Sequence, residues 1–403
     1  MNAVSLASHL PDKLGWTGDH DLLRVTARRL LSERCPIREV RRLAGDPAGF
    51  DRALWRELAE LGWTGLHLPE RFGGAGLDHL SMALVLEEAG RALYPGPLLE
   101  VALAGLAIAR AGSPEQAARL LPDIAAGRTI ATIALVEGAS SWQLDAVTAT
   151  ADPVEGGGHV LRGEKVHVPW AQAADLLIAP LREGGGISLF AVPLAGEGIE
   201  IEPEVPLDAT RRIARVRMNG ARVPAGARLS GGGGAGGAEA DSGGAVLGGL
   251  LAPALTYLAA ELVGAAGAAL DMTCAYARER VQFDRPIGAF QAVKHPLVDV
   301  LIAVERARSL ALGAAAALDH APAGEALRAA RMAKVAAEQA LLHASDRAVQ
   351  LHGGFGFTWD CDAHLYFKRA LAGAATWGDA LHHRRALVAD LRHAAGLSAE
   401  GAR

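Results

Sequence analysis

The sequence has few cysteines, and they lie far apart. Cys35, Cys274 and Cys361 are the three present among 403 residues. No two of them have the CxxC spacing of a zinc or redox site, and an odd, sparse set argues against a disulfide framework. We therefore expect neither disulfides nor a bound metal.

Concentrated positive charge and long apolar runs are also missing. The net charge is −5 and the basic residues are dispersed, whereas a nucleic-acid surface needs a cationic patch. The longest uncharged apolar stretch, residues 245–260, contains Gly248, Gly249 and Pro253 and is shorter than the roughly 18 residues of a membrane-spanning helix. No secretion leader is recognisable at the start. These absences predict a cytoplasmic protein that contacts neither nucleic acid nor membrane.

Aromatic residues make up only 5% of the chain, while hydrophobic residues make up 50% and charged residues 21%. This composition is typical of a folded globular protein, and its many alanines and glycines favour closely packed helices. Because 403 residues exceed one ordinary core, we expect two or three domains.

The periodicity of apolar residues divides the chain into helical, β and helical parts. In residues 1–128, Leu54, Leu58 and Leu61 recur at helical spacing before Gly62 ends the segment, and Ser113 is a plausible N-cap. Residues 129–230 contain short β-branched segments bounded by Gly, Pro or Asp, which predict an antiparallel sheet, a sandwich or a small barrel.

A Gly-rich linker is expected at residues 231–244, followed by long Ala-rich helices in residues 245–403. Such helices pack as a bundle, often across subunits. The pattern therefore predicts a mainly α fold with a central β domain, an N-terminal helical domain and a C-terminal four-helix bundle that mediates oligomerisation.

Two segments carry residues suited to a dinucleotide. In residues 278–295, arginines offer forks for phosphate, glutamines offer paired donors and acceptors, and phenylalanines offer flat faces; these are Arg280, Gln282, Phe283, Arg285, Phe290 and Gln291. In residues 348–360, Gly353 and Gly354 follow a long helix and let a ligand approach the backbone. A solvated helix end and an ordinary glycine C-cap are the alternative readings.

Together with residues 61–93, these segments resemble the acyl-CoA dehydrogenase family over essentially the whole chain. The resemblance implies a fold of helices, β domain and helices, and α,β-dehydrogenation of an acyl-CoA thioester with FAD as hydride acceptor. It also implies that both segments contact the FAD of a neighbouring subunit. The residues that inherit this role are Arg280, Gln282, Phe283, Gln291, Gln350, Leu351, His352, Gly353 and Gly354.

The carboxylate that acts as the family's base is missing. Trp377 occupies its usual position, beside Gly378 and Asp379, and tryptophan cannot accept a proton there. Some members of the family carry the base earlier, at a position that falls on Ala254. Glu261, flanked by apolar residues, is a weak substitute, since a pairing with an arginine of a neighbouring helix is the more ordinary role of such a residue; Asp241 and Asp379 are weaker still.

The β region departs from the family pattern as well. The family's TEPGAGSD loop corresponds to residues 135–145, and its flavin-facing segment corresponds to residues 165–175. In that segment Pro169 replaces a threonine whose hydroxyl would contact the flavin, and proline has neither hydroxyl nor N–H to offer.

The chain thus keeps both FAD-contact segments but lacks the base and the flavin-facing threonine. This combination, together with residues 357–371 and 377–385, resembles a subgroup of heterotetrameric (α2β2) dehydrogenases that act on steroid side chains and related CoA thioesters. The resemblance implies a paralogous partner that supplies the base, with a homo-oligomer as the alternative. A flavin-dependent monooxygenase of the same fold and a catalytically silent partner subunit also remain open. His382 and His383 are expected to lie on a solvated helix face or a subunit contact.

Overall fold

The computed structural model describes residues 14–138, 142, 146–230 and 242–394. Within them helices precede and follow a sheet, which confirms the predicted fold class. The described helices are α1 (Gly18–Arg34), α2 (Ile37–Ala44), α3 (Arg52–Glu60), α4 (His79–Arg91), α5 (Leu98–Ala111), α6 (Pro114–Ala125), α7 (Ser242–Glu279), α8 (Gln291–His320), α9 (Ala323–His352), α10 (Ala363–Ala375) and α11 (Ala380–Ala394). Most of the expected linker lies outside the described residues, but α7 already begins at Ser242.

The chain forms two compact units. Unit 1 comprises the described residues of Met1–Ile37, His79–Tyr94 and Ala252–Arg403, and unit 2 those of Arg38–Asp78 and Pro95–Leu251. Each unit is therefore assembled from separate parts of the chain. The three-domain division at residues 128, 230 and 244 stays a prediction.

Helix ends in unit 2 follow the local sequence. The Asp51 carboxylate accepts a hydrogen bond from the Ala53 N–H (2.7 Å) and caps α3, and Gly62, with φ 77°, follows its end. Ser113 caps α6 in a reciprocal capping box with Gln116. These caps satisfy N–H groups that the first helical turn leaves unpaired, and they confirm the predicted roles of Gly62 and Ser113.

Unit 2 also contains a seven-stranded sheet in the order β1-β4-β2-β3-β7-β6, with β5 paired to β4. Its strands are β1 (Ala131–Ile133), β2 (Thr150–Pro153), β3 (His159–Pro169), β4 (Leu176–Glu183), β5 (Gly186–Pro193), β6 (Ile199–Glu204) and β7 (Ile213–Val223). The buried core on the sheet includes Leu161, Leu177, Phe190 and Val216.

The predicted antiparallel pairing is wrong at two places, because β1–β4 and β2–β4 are parallel. The connections between these strands are long enough to return the chain to the same end of the sheet, which short hairpins do not do. Strand β6 pairs with β7 and differs from the β-branched segments of the sheet, because its Ile199 and Ile201 alternate with glutamates.

The helices of unit 1 pack through small residues. Where α4 meets α7, a Cβ atom at Gly90 would overlap the backbone of Glu261, and one at Gly264 would overlap that of Glu87. The Gly- and Ala-rich composition thus permits close backbone approach. Helix α7 is long and apolar enough to span a membrane by composition alone, but 78% of its most hydrophobic window is buried inside the protein, as in a core helix.

Candidate functional site

The first predicted FAD-contact segment forms a hairpin after α7. Strands β8 (Val281–Gln282) and β9 (Arg285–Pro286) pair across the turn residues Phe283 and Asp284, whose φ values are 54° and 63°. This turn usually contains Asn or Gly, and for other residues the left-handed region costs roughly 1–2 kcal/mol. The Phe283 side chain is nevertheless 86% exposed. A strained and exposed aromatic residue is suited to a contact outside this chain.

The polar residues around the hairpin are available for binding. Arg280, Gln282 and Gln291 are exposed, and the guanidinium of Arg280 has no hydrogen-bond or ion-pair partner among the described residues. Arg285, in contrast, lies 4.4 Å from the centroid of the Phe290 ring. An exposed guanidinium without an internal partner can bind phosphate oxygens.

The second segment lies at the end of α9. Gln350 is exposed, Leu351 is half-buried and His352 is buried. Gly353 has φ 64° and ψ −145°. This ψ lies outside the left-handed helical region of an ordinary glycine C-cap, and the combination suits glycine alone. A Cβ added at Gly353 or Gly354 would meet no atom within 4 Å. The backbone here is open to a ligand.

His352 has an internal role in the structure. Its Nδ1 lies 2.7 Å from the Ala348 carbonyl oxygen, and its ring stacks on Tyr276 with centroids 4.1 Å apart. Tyr276 belongs to the last turn of α7, four residues before Arg280. The stack therefore joins the two predicted FAD-contact segments, and His352 supports them as a satisfied helix-end histidine.

Further exposed aromatic residues lie in the second half of this segment, after the glycines. Phe355 is 48% exposed, Phe357 86% and Trp359 68%, and Lys368 lies 4.2 Å from the Trp359 ring centroid. Sequence reasoning did not assign these residues to the site. In a chain with so few aromatics, their concentration on the surface directly after Gly353 and Gly354 marks a contact surface.

Neither of the positions at which the resemblance places the base holds a carboxylate. Ala254 is fully buried in α7, and Trp377 is half-buried in the turn between α10 and α11. Asp379 is exposed and accepts a hydrogen bond from the His382 N–H (2.7 Å) at the start of α11. This contact gives Asp379 the role of a helix cap.

Glu261 pairs with an arginine of another helix, which is the alternative role that the sequence left open. Its carboxylate lies 2.5 Å from the Arg369 guanidinium, and both side chains are buried. Arg369 belongs to α10, so the pair connects α10 to α7. This contact gives Glu261 a structural role between the two helices, and removing either partner would leave a buried charge unpaired.

The two histidines of α11 have different surroundings. His382 is exposed, whereas His383 is fully buried and its Nε2 lies 2.9 Å from the Trp377 carbonyl oxygen. The expectation of a shared solvated face is therefore wrong for His383. Adjacent residues on a helix point about 100° apart, so one of the two can face inward.

In unit 2, the segment expected to face the flavin offers little to a flavin ring. The Pro169 carbonyl already accepts a hydrogen bond from the Thr132 hydroxyl (2.7 Å). The next residue, Trp170, is fully buried, has φ 57° and packs edge-to-face on Phe50 at 5.8 Å. Pro169 and Trp170 thus serve the internal packing of unit 2.

A buried ion pair lies at the start of the loop that resembles TEPGAGSD. Lys165 Nζ donates to the Glu137 carboxylate (2.6 Å) and to the Pro180 carbonyl (2.8 Å), and Glu137 also accepts from the Thr148 N–H (2.7 Å). Burial lowers the pKa of Lys165 to about 8. Sequence reasoning missed this pair. Much of the loop itself, residues 139–141 and 143–145, lies outside the described residues.

These observations fit FAD contacts at the two C-terminal segments. The unpaired Arg280, the exposed Phe283 and the open backbone at Gly353 and Gly354 match a nucleotide's phosphates and rings. Pro169 supplies no donor for a flavin. The fit therefore concerns the two C-terminal segments and not the Pro169 segment.

Comparison with known proteins matches both helical parts of the chain to one family. Residues 17–128 match the model of the acyl-CoA dehydrogenase N-terminal domain, and residues 242–390 match that of the C-terminal domain. The acyl-CoA dehydrogenase IpdE2 of Mycobacterium tuberculosis is 32% identical over 88% of this chain and 92% of its own length.

Two solved complexes are similar in structure. The Tcur3481-Tcur3483 steroid acyl-CoA dehydrogenase variant G363A is 32% identical with a TM-score of 0.83, over 95% of this chain and 99% of that one. The ChsE4-ChsE5 complex from Mycobacterium tuberculosis is 29% identical with a TM-score of 0.82, over 94% and 98%. The chain belongs to the acyl-CoA dehydrogenase family of flavin-dependent oxidoreductases, which act on CH–CH groups.

Proposed function

We propose that this chain is one subunit of a heteromeric FAD-dependent acyl-CoA dehydrogenase. In this enzyme the chain contacts the FAD of a paralogous partner, and the partner supplies the catalytic base. The observation that carries the proposal is an asymmetry. Arg280 and Phe283 are exposed and free to bind, whereas Trp377 and Ala254 leave both base positions without a carboxylate.

The residues of this chain would act by binding and positioning. Arg280 would neutralise phosphate oxygens of the FAD, and Phe283 would lie against an aromatic ring of the cofactor. Gly353 and Gly354 would let it approach the backbone. The FAD, when bound, supplies the acceptor for the β-hydride, and removal of the α-proton falls to a carboxylate of the partner.

The proposed acyl group is a steroid-derived CoA thioester. A steroid acyl-CoA dehydrogenase and the ChsE4-ChsE5 complex are similar to this chain over almost its whole length, which supports this substrate class and a heteromeric assembly. The α2β2 stoichiometry is extended from the subgroup that the sequence resembles. A cytoplasmic location stays part of the proposal.

The test is co-purification of the chain with its paralogous partner, followed by acyl-CoA oxidation with an artificial electron acceptor. The wild-type complex should oxidise the thioester, and Arg280→Ala should lower turnover about tenfold to a hundredfold, since a lost charge-assisted hydrogen bond costs roughly 1.5–3 kcal/mol. Arg29→Ala, at an exposed arginine of α1, is the matched control and should have no effect.

The other candidate functions predict different results. Product formation that requires oxygen and a separate flavin reductase would indicate a monooxygenase. Unchanged turnover in the assembled Arg280→Ala complex would indicate a silent scaffold. A lone chain that binds FAD stoichiometrically and oxidises an acyl-CoA would overturn the proposal.

A further inference from the structure

We propose that Lys334 and His383 are positioning residues that fix Trp377 in the base position and thereby close this position of the chain to acyl-CoA. The inference rests on the proposed function and deepens it. The base would be missing from this chain, and in addition the space for a thioester beside that position would be filled.

The first step is the geometry of the turn between α10 and α11. Trp377 has φ 60° and Gly378 has φ 93°. Glycine adopts this region freely, but a tryptophan there costs roughly 1–2 kcal/mol of backbone free energy. Such strain persists only where surrounding contacts determine the conformation.

The first of these contacts comes from His383. Its Nε2 lies 2.9 Å from the Trp377 carbonyl oxygen, in a fully buried position. Burial, followed by repulsion from Lys334, lowers the pKa of His383 to about 4, so the ring is neutral at neutral pH. Since the carbonyl can only accept, the neutral ring must carry its proton on Nε2. Its Nδ1 has no partner among the described residues.

The second contact comes from Lys334, which is also fully buried. Its Nζ donates to the Gly378 carbonyl (3.3 Å), to the Ala374 carbonyl (3.4 Å) and to the Glu338 carboxylate (3.0 Å). Lys334 and His383 thus hold the carbonyls of both left-handed residues. Neither peptide can rotate without leaving a buried donor unsatisfied.

The fixed backbone of the turn explains why the position of Trp377 would be closed to an acyl-CoA thioester. A base must come within about 3 Å of the proton that it removes, so any productive thioester has to place its α-carbon beside residue 377. An indole is much larger than a carboxylate side chain, and backbone rotation cannot withdraw it. Trp377 is half-buried, as expected of a side chain that forms a wall.

The experiment measures binding of octanoyl-CoA to the full-length chain by isothermal titration. Trp377→Gly removes the indole, and glycine adopts the same φ without strain. We expect this variant to bind at least about tenfold more tightly than wild type, a gain of roughly 1.4 kcal/mol. Trp377→Phe keeps a large ring and should bind as wild type does.

A second pair of variants tests the positioning role. The amide of His383→Gln can still donate to the Trp377 carbonyl, whereas His383→Leu cannot. We expect the Leu variant to gain octanoyl-CoA binding and the Gln variant not to, with a melting curve showing that each is folded; if the Leu variant does not fold, Trp377→Gly decides alone.

Two results would overturn the inference: Trp377→Gly binding octanoyl-CoA no more tightly than wild type, or a folded His383→Leu variant gaining no affinity for it. Because this binding requires neither FAD nor turnover, an inactive complex would count against the proposed function alone.

Discussion

Two turns of unit 1 place an aromatic residue in the left-handed region, and they differ in what surrounds them. Phe283 lies at the tip of a hairpin and is 86% exposed, whereas Trp377 is half-buried above the buried Lys334 and His383. The same local strain therefore serves two purposes. At the hairpin the strained residue exposes its side chain, and between α10 and α11 the backbone of the strained turn is held by hydrogen bonds from buried side chains.

The comparison predicts that substitutions beneath the Trp377 turn affect stability, while substitutions at the hairpin affect assembly. The largest effect is expected for Lys334→Met. Removing the ammonium leaves Glu338 buried without its partner, which costs roughly 3–5 kcal/mol of unfolding free energy. Denaturant unfolding measures it. A loss below 1 kcal/mol would mean that Lys334 does not secure the turn.

At the hairpin, Phe283→Ala should leave the unfolding free energy within about 0.5 kcal/mol of wild type, because the side chain is already exposed. FAD-dependent assembly with the partner should weaken by about 2 kcal/mol or more, as for an aromatic hot spot. Val205→Ala, at a 98% exposed residue of unit 2, is the control. Equal assembly of both variants would remove Phe283 from the contact surface.

The buried imidazole makes the Trp377 turn sensitive to pH. The pKa of His383 in the folded chain is about 4 against a reference of 6.5, because burial first and then the nearby Lys334, His382 and Arg331 disfavour the charged ring. Only the unfolded chain takes up this proton between these values, so stability should fall as pH drops from 6.5 to 4. His383→Gln should flatten the dependence of melting temperature on pH in this window. An unchanged slope would contradict the assignment.

The smallest effect is expected at the turn's own carboxylate. Asp379→Ala removes the cap of α11 and should cost about 1 kcal/mol of stability. Turnover of the heteromeric complex should be unchanged, because the proposed base belongs to the partner. Loss of turnover by several orders of magnitude would instead identify Asp379 as the base.

Sequence patterns predicted the features of the fold that depend on residues close together in the chain. The cap at Ser113 and the end of α3 at Gly62 depend on neighbouring residues, and the long Ala-rich helices depend on periodicity. The parallel pairing of β1 with β4 joins segments distant in the chain, which periodicity does not report.

The residues of the candidate site differ in the same respect, because some are recognisable from the sequence and others depend on long-range packing. Arg280 and Gly353 belong to contiguous motifs and could be recognised from the sequence. The partners of Glu261 and His383 depend on which helix faces meet, and the positive φ of Trp377 has no signal in its residue type. Sequence alone therefore left the role of Glu261 open and placed His383 in the wrong surroundings.

The central claim is that this chain contacts the FAD of a neighbouring subunit but has no complete active site of its own. The number of FAD molecules bound per polypeptide tests this claim most directly. The flavin absorbance of the lone chain should show almost no retained FAD, and the complex with the paralogous partner should retain it. Full occupancy of the lone chain together with oxidation of an acyl-CoA would contradict the account.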